Sequence, residues 1–280
     1  MTDLPQQVDS QQDVPSQVER SELLVPQQAE ALAGLIDTDA PTTTLPPLWH
    51  WTYLLERRRH TDLGPDGHPT SGIPAPPGPG RRRMFAGGRV TTYGELRFGE
   101  RATRVTRVAS TQEKQGRTGP LTFVTVRNEY SQGGEVLVVD ENDIVYRAGD
   151  SGSLPAASNP EELPQRSPSL RVTADEALLF RFSALTYNAH RIHYDHNWVR
   201  HEGYADLVVH GPLQALMMGE LFRRAGDGLV GKVYAYRLVS PMIGPQTFTV
   251  LAGEDGIAHA AEVRNQAGAV TAVSSVSPVS

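Results

Sequence analysis

The sequence predicts an α+β protein made of two helix-plus-antiparallel-sheet units on one chain. Three observations carry that prediction. The 280 residues exceed the ~100–150 of a common domain. In each half, an apolar period near that of a helix gives way to one near that of a strand. Between the halves, residues 148–170, "AGDSGSLPAASNPEELPQRSPSL", are rich in Ser, Pro and Gly and poor in large apolar side chains, which is the composition of a linker.

Residues 1–20 lack aromatics and any apolar period, so they are expected to form a disordered tail. The first unit, 21–147, opens with "SELLVPQQAEALAGLID". Here Ser21 can cap a short helix, Pro26 suits its first turn, and Ala29, Leu32 and Leu35 share a face. "LPPLWHWTYLLERRR" reads as a second helix, starting after Pro46–Pro47. "GPDGHPTSGIPAPPGPG" cannot continue it and must be an irregular loop. From Met84 the Val-, Thr-, Phe- and Tyr-rich runs "TRVTRVAST", "LTFVTVRNEYS" and "EVLVVDENDIVYR" are separated by the turn signals "GRTG" and "SQGG", which predicts an antiparallel meander. The second unit, 171–280, repeats the plan. "DLVVHGPLQALMMGELFRRAG" predicts a helix that begins near Gly211, aligns Leu213, Leu216, Met217 and Leu221, and stops at Gly226. Alternating strands follow, turning at "MIGPQ", "EDG" and "QAG".

Composition excludes several classes. The formal charge of -6, with dispersed Lys and Arg, leaves no basic footprint for nucleic acid. Zero cysteines exclude disulfides, thiolate metal sites and a cysteine nucleophile, and suit a cytoplasmic protein. No apolar run is long enough for a membrane span, so no membrane partner is expected.

Five of the nine histidines, His190, His193, His196, His201 and His210, fall in one neighbourhood. The order there is a polar loop with histidines, an apolar strand end, and Gly-Pro opening a helix. A helix N-terminus offers free N–H groups, so the Gly211 amide can stabilise charge on a carbonyl oxygen. His193 can move a proton, and Asn188 can hold a water through a donor and an acceptor. Together they suggest adding or removing water beside an activated carbonyl.

"LTYNAHRIHYD", followed eighteen residues after His193 by the glycine of "VVHGPL", resembles the MaoC-like motif of R-specific enoyl-thioester hydratases. The resemblance implies a hotdog fold. It also implies a loop Asp–His pair acting on water and a glycine amide holding the thioester carbonyl. The family's His falls at His193 and its Gly at Gly211, but its Asp falls at Asn188, its Asn at His190 and its Pro at Arg191. "LPPLWHWTYLLE", "RRMFAGGRV" and "QGRTGPLTFVTVRNEYSQ" are similar to the branch of mesaconyl-C4-CoA hydratases, itaconyl-CoA hydratases and type 2 hydroxyacyl-thioester dehydratases, over about residues 21–280. That branch implies a double hotdog with a non-catalytic first half and a catalytic second half. Its substrate is an acyl-CoA or acyl-carrier thioester, and no cofactor or metal is implied beyond the CoA or phosphopantetheine arm of that substrate.

An amide cannot act as a base at neutral pH, so with Asn188 in place of the aspartate, His193 must act alone or recruit His190, Tyr194 or Asp195. The working expectation is that His193 transfers the proton while Asn188 orients the water. Arg191 is a candidate partner for a substrate carboxylate. Arg83, with Arg81 and Arg82, is a candidate for CoA phosphates. His190, His210 and Tyr187 are further substrate-binding candidates, with His210 equally readable as packing. Tyr187 and Asn188 read as a strand-to-loop transition. Asp195 is expected to cap a short helix over "HNWVRHEGY". The spacing His190-x-x-His193-x-x-His196 admits a metal reading, but no further ligand has diagnostic spacing. A thioesterase and a silent acyl-thioester-binding module remain as rivals, and homodimerisation stays open.

Overall fold

The computed structural model describes residues 15–78, 81–116, 119–148 and 162–279. Its frame is a ten-stranded antiparallel sheet. The first half contributes β1 (Gln17–Leu23), β3 (Arg81–Thr92), β5 (Arg101–Gly116), β6 (Gly119–Gln132) and β7 (Glu135–Ala148). The second contributes β8 (Ser169–Ala174), β9 (Lys232–Leu238), β10 (Gln246–Gly253), β11 (Gly256–Arg264) and β12 (Val270–Pro278). The order is β1-β5-β6-β7-β3-β9-β12-β11-β10-β8, so each half repeats one arrangement and the halves meet where β3 pairs with β9. A separate pair, β2 (Thr44–Leu45) and β4 (Leu96–Arg97), lies outside this sheet.

Period-two patterning explains the meander. Along β6, Thr122, Val124, Val126, Asn128, Tyr130 and Gln132 are buried while their neighbours are not. The "SQGG" turn closes β6 onto β7 with Gly133 and Gly134 both at positive φ, the geometry that a tight hairpin demands.

The helices are α1 (Gln27–Leu35), α2 (Glu176–Leu185), α3 (His196–His201) and α4 (Gly211–Arg224). Ala29, Leu32 and Leu35 of α1 are buried as the spacing predicts, but its cap position is Pro26, and Ser21 lies in β1. Helix α4 is buried on every side from Leu213 to Phe222. The second half of the sheet covers one flank and the first half supplies the rest, with Trp49 donating its indole N–H to buried Glu220 at 2.8 Å. Arg223 and Arg224 neutralise the same carboxylate.

Four expectations need correction. Gln17–Arg20, assigned to a loose tail, pair with β5 from Arg107 to Arg104; backbone hydrogen bonds order them without any apolar stripe. Residues 1–14 lie outside the described residues, as do 149–161 of the linker; Ala148 still belongs to β7 and Ser169 already to β8. The second helix expected over "LPPLWHWTYLLERRR" is only a 3-10 turn, Trp49–Thr52, between Leu48 and Leu54, which both have positive φ. The aromatic polar atoms there bond in divergent directions, Trp51 to Asp140 and Tyr53 to the Val25 carbonyl, which one straight helical face cannot satisfy. Tyr187 and Asn188 follow a helix rather than a strand: α2 is capped by Asp175, which accepts from the Leu178 N–H, and it ends in a left-handed turn at Tyr187.

Between α1 and β3, where the second half places α4, the described residues form no α-helix, only the short β2 and two 3-10 turns, Trp49–Thr52 and His60–Asp62. The Pro/Gly-rich segment after the second turn runs over the far part of the meander. Ile73 packs on Val124, Val126, Ile144 and Tyr146, and the Tyr146 hydroxyl donates to the Ala75 carbonyl at 2.6 Å. This segment also reaches the second half.

Candidate active site

The site starts at the end of α2. The Asn188 N–H bonds back to the Ser183 carbonyl at 2.8 Å, and its side-chain oxygen accepts the His190 N–H at 3.0 Å, a local turn typical of Asn. A 3-10 turn, Arg191–His193, then brings His193 against the segment leading into α4. There the Val208 N–H donates to the Ile192 carbonyl, and His193 Nδ1 donates to the Val208 carbonyl at 2.7 Å. A carbonyl only accepts, so Nδ1 carries the proton and Nε2 of the neutral ring carries a lone pair. Burial, reinforced by His190 and only partly opposed by the Val208 bond, holds the His193 pKa down to about 3.

His210 lies beneath. Its ring stacks on His193 with centroids 3.6 Å apart, and its Nε2 meets the Ser183 hydroxyl at 2.8 Å. It is wholly buried, and burial, then His193 and His190, push its pKa well below the usual range. The next residue, Gly211, opens α4 with Pro212 behind it. A Cβ at 211 would press on the Leu238 side-chain methyls, which would have to move to admit it.

His193 and Gly211 open on one cavity of about 750 Å³. Tyr187, Asn188, His190 and Arg83 also line it. Arg83 sits on β3 with no hydrogen bond or ion pair to its guanidinium among the described residues, and desolvation lowers its pKa. Its neighbours are not a flexible basic cluster. Arg81 donates to the Thr122 hydroxyl and the Tyr146 carbonyl, and Arg82 donates to the Glu202 carbonyl.

Two candidates move away from substrate. Arg191 grips Asp195 through Nε and Nη2 at 3.0 and 2.6 Å, lies over the Trp198 ring, and donates to the Pro65 carbonyl, so it clamps loops together instead of awaiting a carboxylate. His210 is too deeply buried to touch a ligand and supports His193 instead. Neither lines the cavity. Asp195 caps α3, accepting from the Asn197 and Trp198 N–H groups. The Tyr194 hydroxyl donates to the Ala189 carbonyl, so of the three groups named to support His193 only His190 faces the cavity. Leu213, Leu216, Met217 and Leu221 are core and do not line this cavity.

Sequence reasoning missed three residues. Asp66 and His68 come from the Pro/Gly loop of the first half, and Glu202 from the end of α3. His68 lines the cavity, its ring 4.1 Å from that of His190, and its Nδ1 donates to Asp66 at 2.9 Å. Burial lowers the His68 pKa, with Asp66 opposing that shift. Burial would raise that of Asp66, but the His68 ring and backbone hydrogen bonds outweigh it and bring it to about 2. His190 Nε2 lies 3.6 Å from Glu202, which burial alone would raise but which His190 and Trp198 hold below its ordinary value. The metal-capable spacing read from the sequence does not assemble, because His196 turns outward to Asp206. Asp66, His68 and His190 instead place ligand atoms within 4.8 Å of one another, with His68 Nδ1 already committed to Asp66. No helix among the described residues is long and apolar enough to cross a membrane.

Comparison with known proteins bears on this arrangement directly. The family model for hydroxyacyl-thioester dehydratase type 2 matches residues 48–244, which includes the His193 loop and the start of α4. Mesaconyl-C4-CoA hydratase of Chloroflexus aurantiacus is 44% identical over 237 residues, covering 82% of this chain and 83% of that protein. The mitochondrial hydroxyacyl-thioester dehydratase type 2 of Schizosaccharomyces pombe is 24% identical over 247 residues, covering 79% and 82%. In fold, HtdX from Mycobacterium tuberculosis matches with a TM-score of 0.66 at 16% identity over 94% of this chain and 100% of that one. A MaoC-like dehydratase matches with 0.66 at 14% identity over 95% and 98%. The repeated strand order is thus that of MaoC-like hotdogs, and the chain belongs to the hydroxyacyl-thioester dehydratase type 2 family, as a hydro-lyase interconverting 2-enoyl and 3-hydroxyacyl thioesters.

Proposed function

We propose that this hydro-lyase hydrates a short 2-enoyl-CoA bearing a second carboxylate. The observation that carries the reading is one cavity shared by the Nε2 face of His193, the amide that opens α4, and unpartnered Arg83. The Gly211 N–H receives the thioester oxygen, where negative charge grows as the α-carbon becomes enolate-like, and the helix end favours that charge. The lone pair of His193 Nε2 holds the attacking water. Asn188 keeps this loop in shape through its bond to the His190 N–H, and its amide N–H₂ completes the water's contacts.

Arg83 supplies the cation for the substrate's free carboxylate, for which guanidinium geometry is well suited. The 44%-identical relative is named for a substrate of this class, mesaconyl-C4-CoA. His190 and Tyr187 shape the cavity around the acyl unit. Adding water changes no oxidation state, so the chemistry calls for no redox cofactor. His193, Asn188 and the Gly211 amide come from the second half, the first half supplying sheet, the loop that carries His68, and Arg83. Because both halves of the sheet come from one chain, turnover needs no second copy, and specific activity stays constant on dilution.

The test offers mesaconyl-, itaconyl- and crotonyl-CoA to the enzyme and follows loss of the conjugated absorbance. The dicarboxyl substrates are expected to turn over faster than crotonyl-CoA. Arg83→Met should raise their KM at least tenfold and leave that for crotonyl-CoA unchanged. Release of free thiol in place of hydration would identify a thioesterase. A His193→Ala enzyme with wild-type turnover would refute the assignment of the site.

A further inference from the structure

With Asn188 standing where the resembling motif carries an aspartate, His193 has a partner unable to stabilise an imidazolium. Its Nδ1 bonds to a neutral carbonyl, and the ring is buried apart from the edge it shows to the cavity. His193 can orient water but is a poor holder of the proton that hydration releases. A carboxylate–histidine pair does exist in the cavity wall, contributed by the other half of the chain.

Asp66 Oδ1 accepts the His68 N–H at 2.9 Å and Oδ2 accepts from Nδ1 at the same distance, so the ring is fixed by two bonds to one carboxylate. Nε2 is then the free ring nitrogen of a histidine that lines the cavity. The loop is docked, not loosely apposed. The Arg191 N–H donates to the Asp66 carbonyl and the Arg191 guanidinium to the Pro65 carbonyl, both at 2.9 Å. Gly67 has a φ of +89°, and a Cβ there would overlap the Ala189 carbonyl. From His68 the rings run in a row through His190 and His193 to His210, with successive centroids 4.1, 5.6 and 3.6 Å apart.

We infer that His68, oriented by Asp66, is the acid–base residue of this enzyme. The inference rests on the hydration reading above. As the water oxygen bonds to C3, His68 Nε2 takes a water proton, and the C2=C3 electron pair moves into the enolate held at the Gly211 amide. The enolate then re-forms the carbonyl, and its α-carbon takes the proton back from His68. Water is consumed, nothing is oxidised or reduced, and His68 returns to its starting form. Asp66 is a positioning residue that stabilises the transient imidazolium.

The experiment measures hydration by His68→Ala, Asp66→Asn and His193→Ala in the full chain, with melting curves as a check on folding. His68→Ala is expected to lower kcat at least a hundredfold with KM within a few-fold, and added imidazole should restore part of the loss. Asp66→Asn should give an intermediate kcat and move the acid limb of its pH profile lower. The groups facing the His68 ring are Asp66, His190 and Arg83, and only Asp66 changes in that variant. A His68→Ala enzyme within threefold of wild type, alongside an inactive His193→Ala, overturns this inference and leaves the hydratase reading intact. Wild-type turnover in both variants sinks both readings. Loss without imidazole rescue and with an unshifted Asp66→Asn profile marks a structural role and overturns the inference. So does stoichiometric metal in the purified protein that is lost with His68, because a metal ligand cannot carry the proton.

Discussion

Acid should loosen this fold well before its carboxylates protonate. His193 is buried, and its folded-state pKa of about 3 lies far below the ~6.5 of an unfolded histidine. Since the folded value is the lower one, the unfolded chain binds more protons as pH falls. Stability is therefore full above about pH 6.5 and is lost progressively towards pH 3. At pH 5 the linkage relation gives a loss of about 2 kcal/mol from this one ring. His210 adds to it with the same sign, its pKa being depressed by burial and by the two neighbouring histidines. Unfolded carboxylates, with values near 4, contribute almost nothing at pH 5, so the window isolates the histidines. Urea unfolding at pH 7.5 and 5.0 measures the difference. A stability that falls by less than about 1 kcal/mol between these pH values would falsify the argument that the two stacked rings are held neutral.

Three further outcomes follow from contacts between the halves. Glu220→Ala removes the acceptor of the Trp49 indole and the counter-charge of Arg223 and Arg224. It should cost about 2–3 kcal/mol in urea unfolding, the arginines keeping some access to water. Glu220→Gln, which retains an acceptor for Trp49, should cost less. Gly67→Ala places a Cβ against the Ala189 carbonyl at positive φ, so the loop must shift: kcat should fall at least tenfold and the melting temperature should drop by several degrees. Arg191→Met removes the grip on Asp195 and Pro65 and should lower kcat without altering preference between dicarboxyl and simple enoyl-CoA substrates.

Much of this architecture could be read from local signals. The meander was legible because β6 alternates strictly, and α4 because Gly211-Pro212 opens an apolar run that Gly226 ends. The failures share a cause in tertiary contacts. "LPPLWHWTYLLERRR" has helical spacing, yet Leu48 and Leu54 take left-handed backbone so that Trp49, Trp51 and Tyr53 can reach separate polar partners. Gln17–Arg20 gain order from a neighbouring strand that no composition rule can see. In the site, His193 and Gly211 fell within one short motif. Asp66 and His68 lay more than a hundred residues upstream in a segment legible only as a breaker; the Asp-Gly-His run hinted at an Asp-stabilised turn presenting a histidine, without saying what it faced. Arg191 misled because its charge was visible and its partner Asp195, one helical turn on, was already assigned to a cap.

The seam between β3 and β9 has a consequence for biosynthesis. Gly87 waits for Arg237, about 150 positions later in the chain, so the first half emerges with one side of its innermost strand unmatched. Until the second half is made, that open edge can recruit another nascent chain, and closure over so long a span is slow. Truncation after the linker should therefore yield an aggregating fragment, since the missing residues are what cap its exposed backbone.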